Sequence, residues 1–206
     1  MIRVVVYVDG FNLYYGLKEC GWRRYYWLNI AMLAERLAKP DQTVVGVKYF
    51  TSRVSSTPTD PEKARRQETY IEALQTQRGM QIFYGNYRQK PVTCRKCGCS
   101  WLQREEKRTD VNIAVKMMTD AFQDAFDTAM LLTGDSDLSG AIERVRALFP
   151  AKRIVVGFPP QRVSKRLRQV ASAYLDIRRN MLAQCQFTDT VTKPDGHVLQ
   201  RPASWR

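Results

Sequence analysis

Short apolar runs alternate along the chain with amphipathic stretches, the pattern of strands followed by helices. Residues 2–8, 42–51, 80–84, 127–132 and 152–158 are rich in β-branched and aromatic residues and predict strands buried in a parallel sheet. Residues 13–19, 30–38, 60–77, 109–126 and 137–147 repeat apolar side chains at helical spacing. The alternation predicts one α/β domain, with a last small strand at 174–177.

Carboxylates follow two of these strands directly. Asp9 ends the first apolar run, in Asp9-Gly10-Phe11-Asn12, and Asp135 and Asp137 follow the run at 127–132. Carboxyl ends of parallel strands form the edge at which ligands of such folds bind. Two carboxylates two residues apart destabilise each other unless a cation or donors compensate. A helix cap is the alternative interpretation, but capping explains one of the two acids and not both.

A further acid, Asp110, lies at the start of the longest amphipathic stretch, where Thr109 is a candidate N-cap. The helix dipole alone favours an acid there, but at the carboxyl edge of the sheet it would also point towards Asp9 and Asp135. Asp120 and Asp124 are predicted to be surface charges. The predicted buried stripe of this helix consists of Val111, Ala114, Val115, Met118, Ala121, Phe122 and Ala125.

The chain is strongly basic. Its 33 Lys and Arg against 20 Asp and Glu give a net charge of +13, which favours a polyanionic partner, nucleic acid before an anionic membrane. Scattered surface charge is the plainer alternative. The single histidine, His197, lies in a polar stretch and argues against histidine triads and histidine metal cages.

Location is predicted from three features of the sequence. No apolar run is long enough to span a bilayer, and no signal peptide is recognisable. Five cysteines, an odd number with three clustered, fit a reducing compartment better than a disulfide framework. We therefore expect a cytoplasmic protein without a membrane partner, and a homodimer is left open.

Residues 85–108 interrupt the alternation and are predicted to be an insertion. Cys94, Cys97 and Cys99 form a C-x-x-C-G-C turn, the knuckle in which thiolates bind zinc. A structural zinc site would need a fourth ligand such as Cys20, Cys185 or a carboxylate. A degenerate zinc ribbon and a redox-active pair are the competing interpretations, and zinc is favoured.

Three motifs in the correct order resemble the NYN domain family, a branch of the PIN-like, or LabA-like, metal-dependent nucleases. They are V-D-G-F-N at the first strand, R-T-D-V-N-I-A-V opening the long helix, and T-G-D-S-D-L after the next strand. The resemblance covers roughly residues 2–177. It implies a Rossmann-like three-layer α/β/α sandwich with a mainly parallel central sheet, in which acidic residues bind Mg²⁺ or Mn²⁺ and hydrolyse RNA. The family's acidic positions fall on Asp9, Asp110, Asp135 and Asp137, with Asn12 as their polar companion.

The chemistry of phosphodiester hydrolysis agrees with this ligand set. It needs an activated water and charge relief at the phosphate, which hard divalent ions held by oxygen ligands can supply. Asp9 and Asp135 are predicted as direct ligands, and Asp110 and Asp137 as ligands directly or through water. Asn12 and Ser136 would hold waters or a phosphate oxygen. Arg162, Lys165, Arg166 and Arg168 would guide the RNA backbone, and bases could stack on Tyr14, Tyr15, Trp22, Tyr25, Tyr26 and Trp27, several of which will instead be core.

The sequence therefore predicts a metal-dependent endoribonuclease acting on single-stranded RNA. Its domain is expected to span residues 1–180, followed by a weakly ordered tail at 181–206. A catalytically silent RNA-binding or scaffold protein of the same fold is the first alternative. An aspartate-based phosphatase is the second, although such enzymes commonly have D-x-D after the first strand, where this chain has Asp9-Gly10-Phe11.

Overall fold

A six-stranded parallel sheet forms the centre of the protein in the computed structural model, which describes residues 1–93, 97–107 and 109–206. Its strands are β1 (Ile2–Asp9), β2 (Gln42–Thr51), β3 (Met80–Tyr84), β6 (Thr128–Leu132), β7 (Arg153–Phe158) and β8 (Ala173–Asp176). They lie in the order β3-β2-β1-β6-β7-β8. The predicted parallel sheet is confirmed.

Helices cover both faces of this sheet. They are α1 (Gly10–Glu19), α2 (Ile30–Leu37), α3 (Lys63–Gln75), α4 (Thr109–Phe122), α5 (Ser139–Leu148), α6 (Lys165–Val170) and α7 (Arg179–Gln184). In the described ranges, no helix combines the length and the apolar composition needed to cross a bilayer.

Two hydrophobic cores lie on opposite faces of the sheet, and β1 contributes to both. Val4, Val6 and Val8 belong to the core beneath α1, α2, α3 and α7, whereas Val5 and Tyr7 belong to the core beneath α4, α5 and α6. The alternation arises because successive side chains of a strand point to opposite faces. The three-layer α/β/α sandwich is therefore confirmed.

The order of the strands reverses between β1 and β6. From β1 the chain builds outward through β2 and β3, and from β6 it builds the other way through β7 and β8. Val8 pairs with Leu132, so the carboxyl ends of the two strands lie side by side. Such a reversal leaves a crevice beyond the strand ends, where open α/β sheets bind ligands.

The predicted insertion forms an antiparallel hairpin apart from the central sheet. Its strands are β4 (Asn86–Thr93) and β5 (Ser100–Lys107). Cys97 and Cys99 are exposed beside its turn, and Cys94 lies outside the described residues. The proposed zinc site therefore stays a prediction.

The chain after α7 contradicts the prediction of a weakly ordered tail. It forms a second hairpin from β9 (Thr190–Thr192) and β10 (Val198–Gln200), then a 3₁₀ turn at Ala203–Trp205. Leu199 is buried, and the ring of Trp205 lies edge-on to those of Tyr26 and Tyr70. A few well-spaced apolar side chains therefore hold this polar stretch against the core beneath α1, α2, α3 and α7.

Candidate active site

A cleft of about 290 Å³ lies at the carboxyl ends of β1 and β6. We call it the acidic cleft; it is lined by Asp9, Phe11, Asn12, Tyr15, Thr109, Asp110, Asp135 and Arg162. The structure thus brings together three of the four predicted acids, the predicted asparagine and one of the four predicted basic residues. Asp137 and Ser136 are not among its lining residues.

Asp9 is held in a fixed orientation between two elements. It caps α1, where its Oδ1 accepts a hydrogen bond from the backbone N–H of Asn12 at 3.0 Å. Its Oδ2 accepts from the hydroxyl of Thr133, just after β6, also at 3.0 Å. The side chain is buried.

The turn after β6 is tied to the start of α1. The backbone N–H of Gly134 donates to Asn12 Oδ1 at 2.8 Å, and that of Asp135 donates to Thr133 Oγ1 at 3.1 Å. Asn12 thus uses its oxygen to fix this turn, which leaves its Nδ2 group as the part of the amide that can donate to a ligand. A side chain at Gly134 would collide with the backbone carbonyl of Arg162, so the close approach requires glycine.

Asp135 both caps a turn and lines the cleft. Its Oδ1 accepts from the backbone N–H of Asp137 at 3.0 Å, at the start of a 3₁₀ turn at Ser136–Leu138. The capping interpretation therefore applies to Asp135, but it does not exclude a second role. Asp137 is an exposed residue of this 3₁₀ turn, and its backbone N–H contacts Asp135.

Asp110 lies in the first turn of α4, as predicted, and is half-buried at the cleft. The same helix is anchored further along by Asp120, which is buried and not the surface charge that was expected. Asp120 Oδ2 accepts from the hydroxyl of Tyr7 at 2.6 Å and from Lys48 Nζ. Burial and the hydrogen bond to Asp120 raise the pKa of Tyr7, so its hydroxyl stays protonated and donates. We call Tyr7, Lys48 and Asp120 the anchor cluster. It joins α4 to β1, which carries Tyr7, and to β2, which carries Lys48.

Arg162 is the basic side chain that reaches the acidic cleft. It follows Gln161, whose φ of 59° is in the left-handed region, and its Nη2 forms an ion pair with Glu19 on α1. Its Nε is buried and has no hydrogen-bond partner among the described residues. An N–H that is buried without a partner is costly, and an anion in the cleft could satisfy it.

The other predicted basic residues lie on α6 and do not line the cleft. Arg166 bonds Glu143 at 2.6 Å, and the Arg168 guanidinium lies 4.8 Å from the centre of the Tyr174 ring. Lys165 begins the helix. Contact of these three with RNA stays a prediction.

The predicted stacking aromatics divide between core and cleft. Trp27, Tyr25 and Tyr26 are buried, whereas Tyr15 is 43% exposed. Tyr15 stacks on Phe11 with ring centres 6.2 Å apart, and both line the acidic cleft. Phe11 was not among the residues predicted to line the site, although its position between Asp9 and Asn12 in the sequence indicates that it lies at the cleft.

The ligand chemistry of the cleft suits a hard divalent cation. Asp9, Asp110 and Asp135 supply carboxylate oxygens, and Mg²⁺ in proteins uses few carboxylates while keeping several waters. Across the described ranges, no group of three or more His, Cys, Asp or Glu side chains is close enough to form a metal site by itself. The arrangement is therefore an open oxygen-lined cleft with room for water, and not a closed metal cage.

Comparison with known proteins adds a family and a fold. The family model described as NYN domain matches residues 3–178. A relative from Pseudomonas putida named 6-hydroxy-3-succinoylpyridine 3-monooxygenase is 25% identical over 241 aligned positions, covering 99% of this chain and 75% of that protein. A crystal structure of a protein of unknown function from Vibrio parahaemolyticus superposes with a TM-score of 0.56 at 21% identity, covering 87% of this chain and 94% of that one. The family model bears out the resemblance found in the sequence motifs, and the Vibrio parahaemolyticus structure shares the fold.

Proposed function

Because this chain belongs to the NYN domain family, a family of nuclease-like fold, we propose that it is a Mg²⁺- or Mn²⁺-dependent endoribonuclease that cuts single-stranded RNA. The observation that carries the proposal is the convergence of Asp9, Asp110 and Asp135 on one cleft. These residues come from β1, α4 and the turn after β6, and the chain between the first and the last spans more than half its length. A shared cleft explains why three carboxylates are placed at the ends of separate elements.

In this proposal each cleft residue has a stated task. Asp9, Asp110 and Asp135 would hold the cation, with Asp137 acting through water, and the cation would lower the pKa of a bound water and offset phosphate charge. The hydrogen bonds from Asn12 and Thr133 keep Asp9 in one orientation. Arg162 Nε and the Asn12 amide would donate to the phosphate oxygens. The stacked rings of Phe11 and Tyr15 form the wall along which an unpaired strand would pass.

The test is cleavage of labelled single-stranded RNA by purified protein, with Mg²⁺ or Mn²⁺ and with chelator. We expect Asp9→Asn and Asp135→Asn to abolish metal-dependent cleavage and to retain the fold, because asparagine keeps an oxygen acceptor for the neighbouring N–H groups. Asp41→Asn is the matched control, since that exposed residue precedes β2 at the opposite edge of the sheet. Cutting by either cleft variant at the wild-type rate contradicts the proposal.

A second candidate is a silent RNA-binding protein of the same fold. One observation favours it. In the part of the chain that the structure describes, no three candidate metal ligands lie close enough together to form a metal site. RNA binding that is unaffected by Mn²⁺, without any cleavage product, would select this candidate.

The name of the Pseudomonas putida relative raises another chemistry, oxygenation of a hydroxypyridine. The observation that favours it is the length of the match. The alignment with that relative covers 99% of this chain and so extends beyond residue 178, where the family model ends. Incubation with 6-hydroxy-3-succinoylpyridine, dioxygen and a two-electron reductant would test it. Transfer of one atom of isotopically labelled dioxygen to the pyridine product would support this candidate over RNA cleavage.

A further inference from the structure

A second cavity, of about 130 Å³, adjoins the acidic cleft. We call it the aromatic pocket; its lining includes Phe11, Tyr14, Tyr15, Tyr26, Tyr70 and Trp205. Phe11 and Tyr15 line both cavities, so the two are neighbours across one pair of stacked rings. The pocket is not explained by the carboxylate chemistry of the cleft.

The walls of the aromatic pocket suit a flat ring. Tyr14 and Tyr26 pack on each other with ring centres 5.0 Å apart and both line the pocket, as does Trp205 of the carboxyl-terminal 3₁₀ turn. Burial raises the pKa of Tyr26 to about 12 and also raises that of Tyr14. Both phenols are therefore protonated at neutral pH. The Tyr26 hydroxyl is hydrogen-bonded to Tyr14, which leaves the Tyr14 O–H to donate to a ring oxygen or nitrogen.

The rim of the pocket is positively charged. Arg66 and Lys63, from α3, line it together with Asp60. The Arg66 guanidinium bonds Asp60 at 2.5 Å and lowers the pKa of that carboxyl, which accounts for one positive charge. Lys63 takes part in no ion pair among the described residues, so its charge is available to an anion.

These features select one class of ligand. The cavity is smaller than the roughly 300 Å³ at which pockets for drug-sized ligands begin, so it admits a single ring system. A ring bound between aromatic side chains with an anion at the rim is the chemistry of a nucleotide, since bases stack on aromatic side chains and basic residues contact the backbone. A paired base cannot enter such a pocket without leaving its duplex.

We propose that the aromatic pocket binds the base of one unpaired nucleotide of the RNA strand that crosses the acidic cleft, while Lys63 contacts a phosphate of that strand. This inference rests on the proposed ribonuclease function and deepens it, because it makes the pocket the reason for a preference for single strands. The Phe11 and Tyr15 rings separate the bound base from the position of cleavage.

Binding of nucleoside monophosphates in chelator tests the pocket apart from cleavage. The affinity of AMP and UMP is measured by calorimetry for wild type, Lys63→Ala and Tyr14→Leu. Two matched controls are Arg65→Ala, which removes an exposed charge from the same helix, and Tyr174→Leu, which removes an exposed ring from β8. We expect each pocket variant to weaken binding about tenfold and the controls to leave it unchanged. Equal weakening by pocket and control variants overturns the proposal.

Two further ligands distinguish the base from its possible substitutes. Ribose 5-phosphate has the phosphate without the base, and nicotinate is a pyridine carboxylate without ribose or phosphate. Both are expected to bind much more weakly than AMP or UMP. Binding of either as tightly as the nucleotides overturns the assignment of a nucleobase. Thermal melting of each variant shows whether it is folded, and Tyr14→Phe, which keeps the ring, is expected to retain more affinity than Tyr14→Leu.

The outcome separates this inference from the proposed function. Nucleotide binding that depends on Tyr14 and Lys63, in a protein that cuts no RNA, would reject the ribonuclease and keep the pocket. Cleavage of single-stranded RNA with the same KM in wild type, Lys63→Ala and Tyr14→Leu would keep the ribonuclease and reject the pocket.

Discussion

Replacing Asp120 by alanine tests whether the anchor cluster fixes α4 against the sheet. Asp120 is 2% exposed, and the side chain of its partner Lys48 is 10% exposed. The substitution leaves the Lys48 ammonium and the Tyr7 hydroxyl without their acceptor in the core. Because Asp110 lies ten residues earlier on the same helix, movement of α4 would also displace one wall of the acidic cleft.

The magnitude follows from the burial of this pair. Removing one partner of a buried ion pair typically costs about 3–5 kcal/mol, because the remaining charge is left unpaired. Lys116, which approaches Asp120 at 3.3 Å, is more exposed and can turn towards water, so it adds little. We expect Asp120→Ala to lower the free energy of unfolding by about 3–5 kcal/mol, a large part of the roughly 5–15 kcal/mol of a typical domain.

Urea unfolding followed by circular dichroism measures this change. Asp124→Asn is the matched control, since its side chain is 71% exposed and its ion pairs with Arg3 and Lys152 should contribute less than about 1 kcal/mol. Asparagine also tolerates the left-handed backbone of this position, where φ is 52°. The combined variant Tyr7→Phe, Lys48→Met and Asp120→Leu should recover most of the loss, because it leaves no buried polar group of the cluster unpaired. Equal losses in Asp120→Ala and Asp124→Asn would refute the anchoring role of the cluster.

Three further predictions follow from other contacts. Gly134→Ala should destabilise the protein by about 1–3 kcal/mol in urea unfolding, because its Cβ would meet the Arg162 backbone, whereas Gly140→Ala, in an open helical position, should stabilise it by about 0.5–1 kcal/mol. The pKa of Asp127 is lowered to about 2 by hydrogen bonds from Arg3. Its contribution to stability is therefore complete above its ordinary pKa of 3.8 and lost as pH falls towards 2, and Asp127→Asn should remove that part of the acid dependence in melting curves. Elemental analysis should find zinc in wild type and less in Cys97→Ser/Cys99→Ser, and its absence from wild type would contradict the zinc prediction.

The three cleft acids could be predicted because each lies where an element begins or ends. Asp9 closes a buried strand and Asp135 follows its neighbour in the sheet, so strand order brings these two to one edge. Asp110 opens the helix that leads into that neighbouring strand, and the helix starts at the same edge. Asp137 was assigned with them from its spacing, but the cap that Asp135 forms sets its backbone into a 3₁₀ turn. Which of two neighbouring acids lines a cleft depends on that turn, and sequence spacing does not specify it.

The buried face of α4 was predicted only in part. Ala121 is buried as expected, and Ala114 and Met118 pack against the core. Val111, Val115 and Phe122 are exposed, and the helix instead buries Ile113, Met117 and Asp120. The predicted stripe counted only apolar side chains, so a charged residue in phase with the core was assigned to the surface. Its partner Lys48 lies 72 residues away in the sequence, on β2, and only the folded sheet brings the two together.

The hydrogen bond between Asp9 and Thr133 joins groups that are synthesised far apart in time. Chains emerge from the ribosome amino terminus first, so β1 is available long before β6, its neighbour in the sheet. Until residues 128–135 have been made, Asp9 lacks one of the donors that orient it and the edge lacks Asp135. A nascent chain therefore holds only part of its proposed nuclease centre, and the messenger from which it is being translated meets the complete centre only after most of the protein has been made.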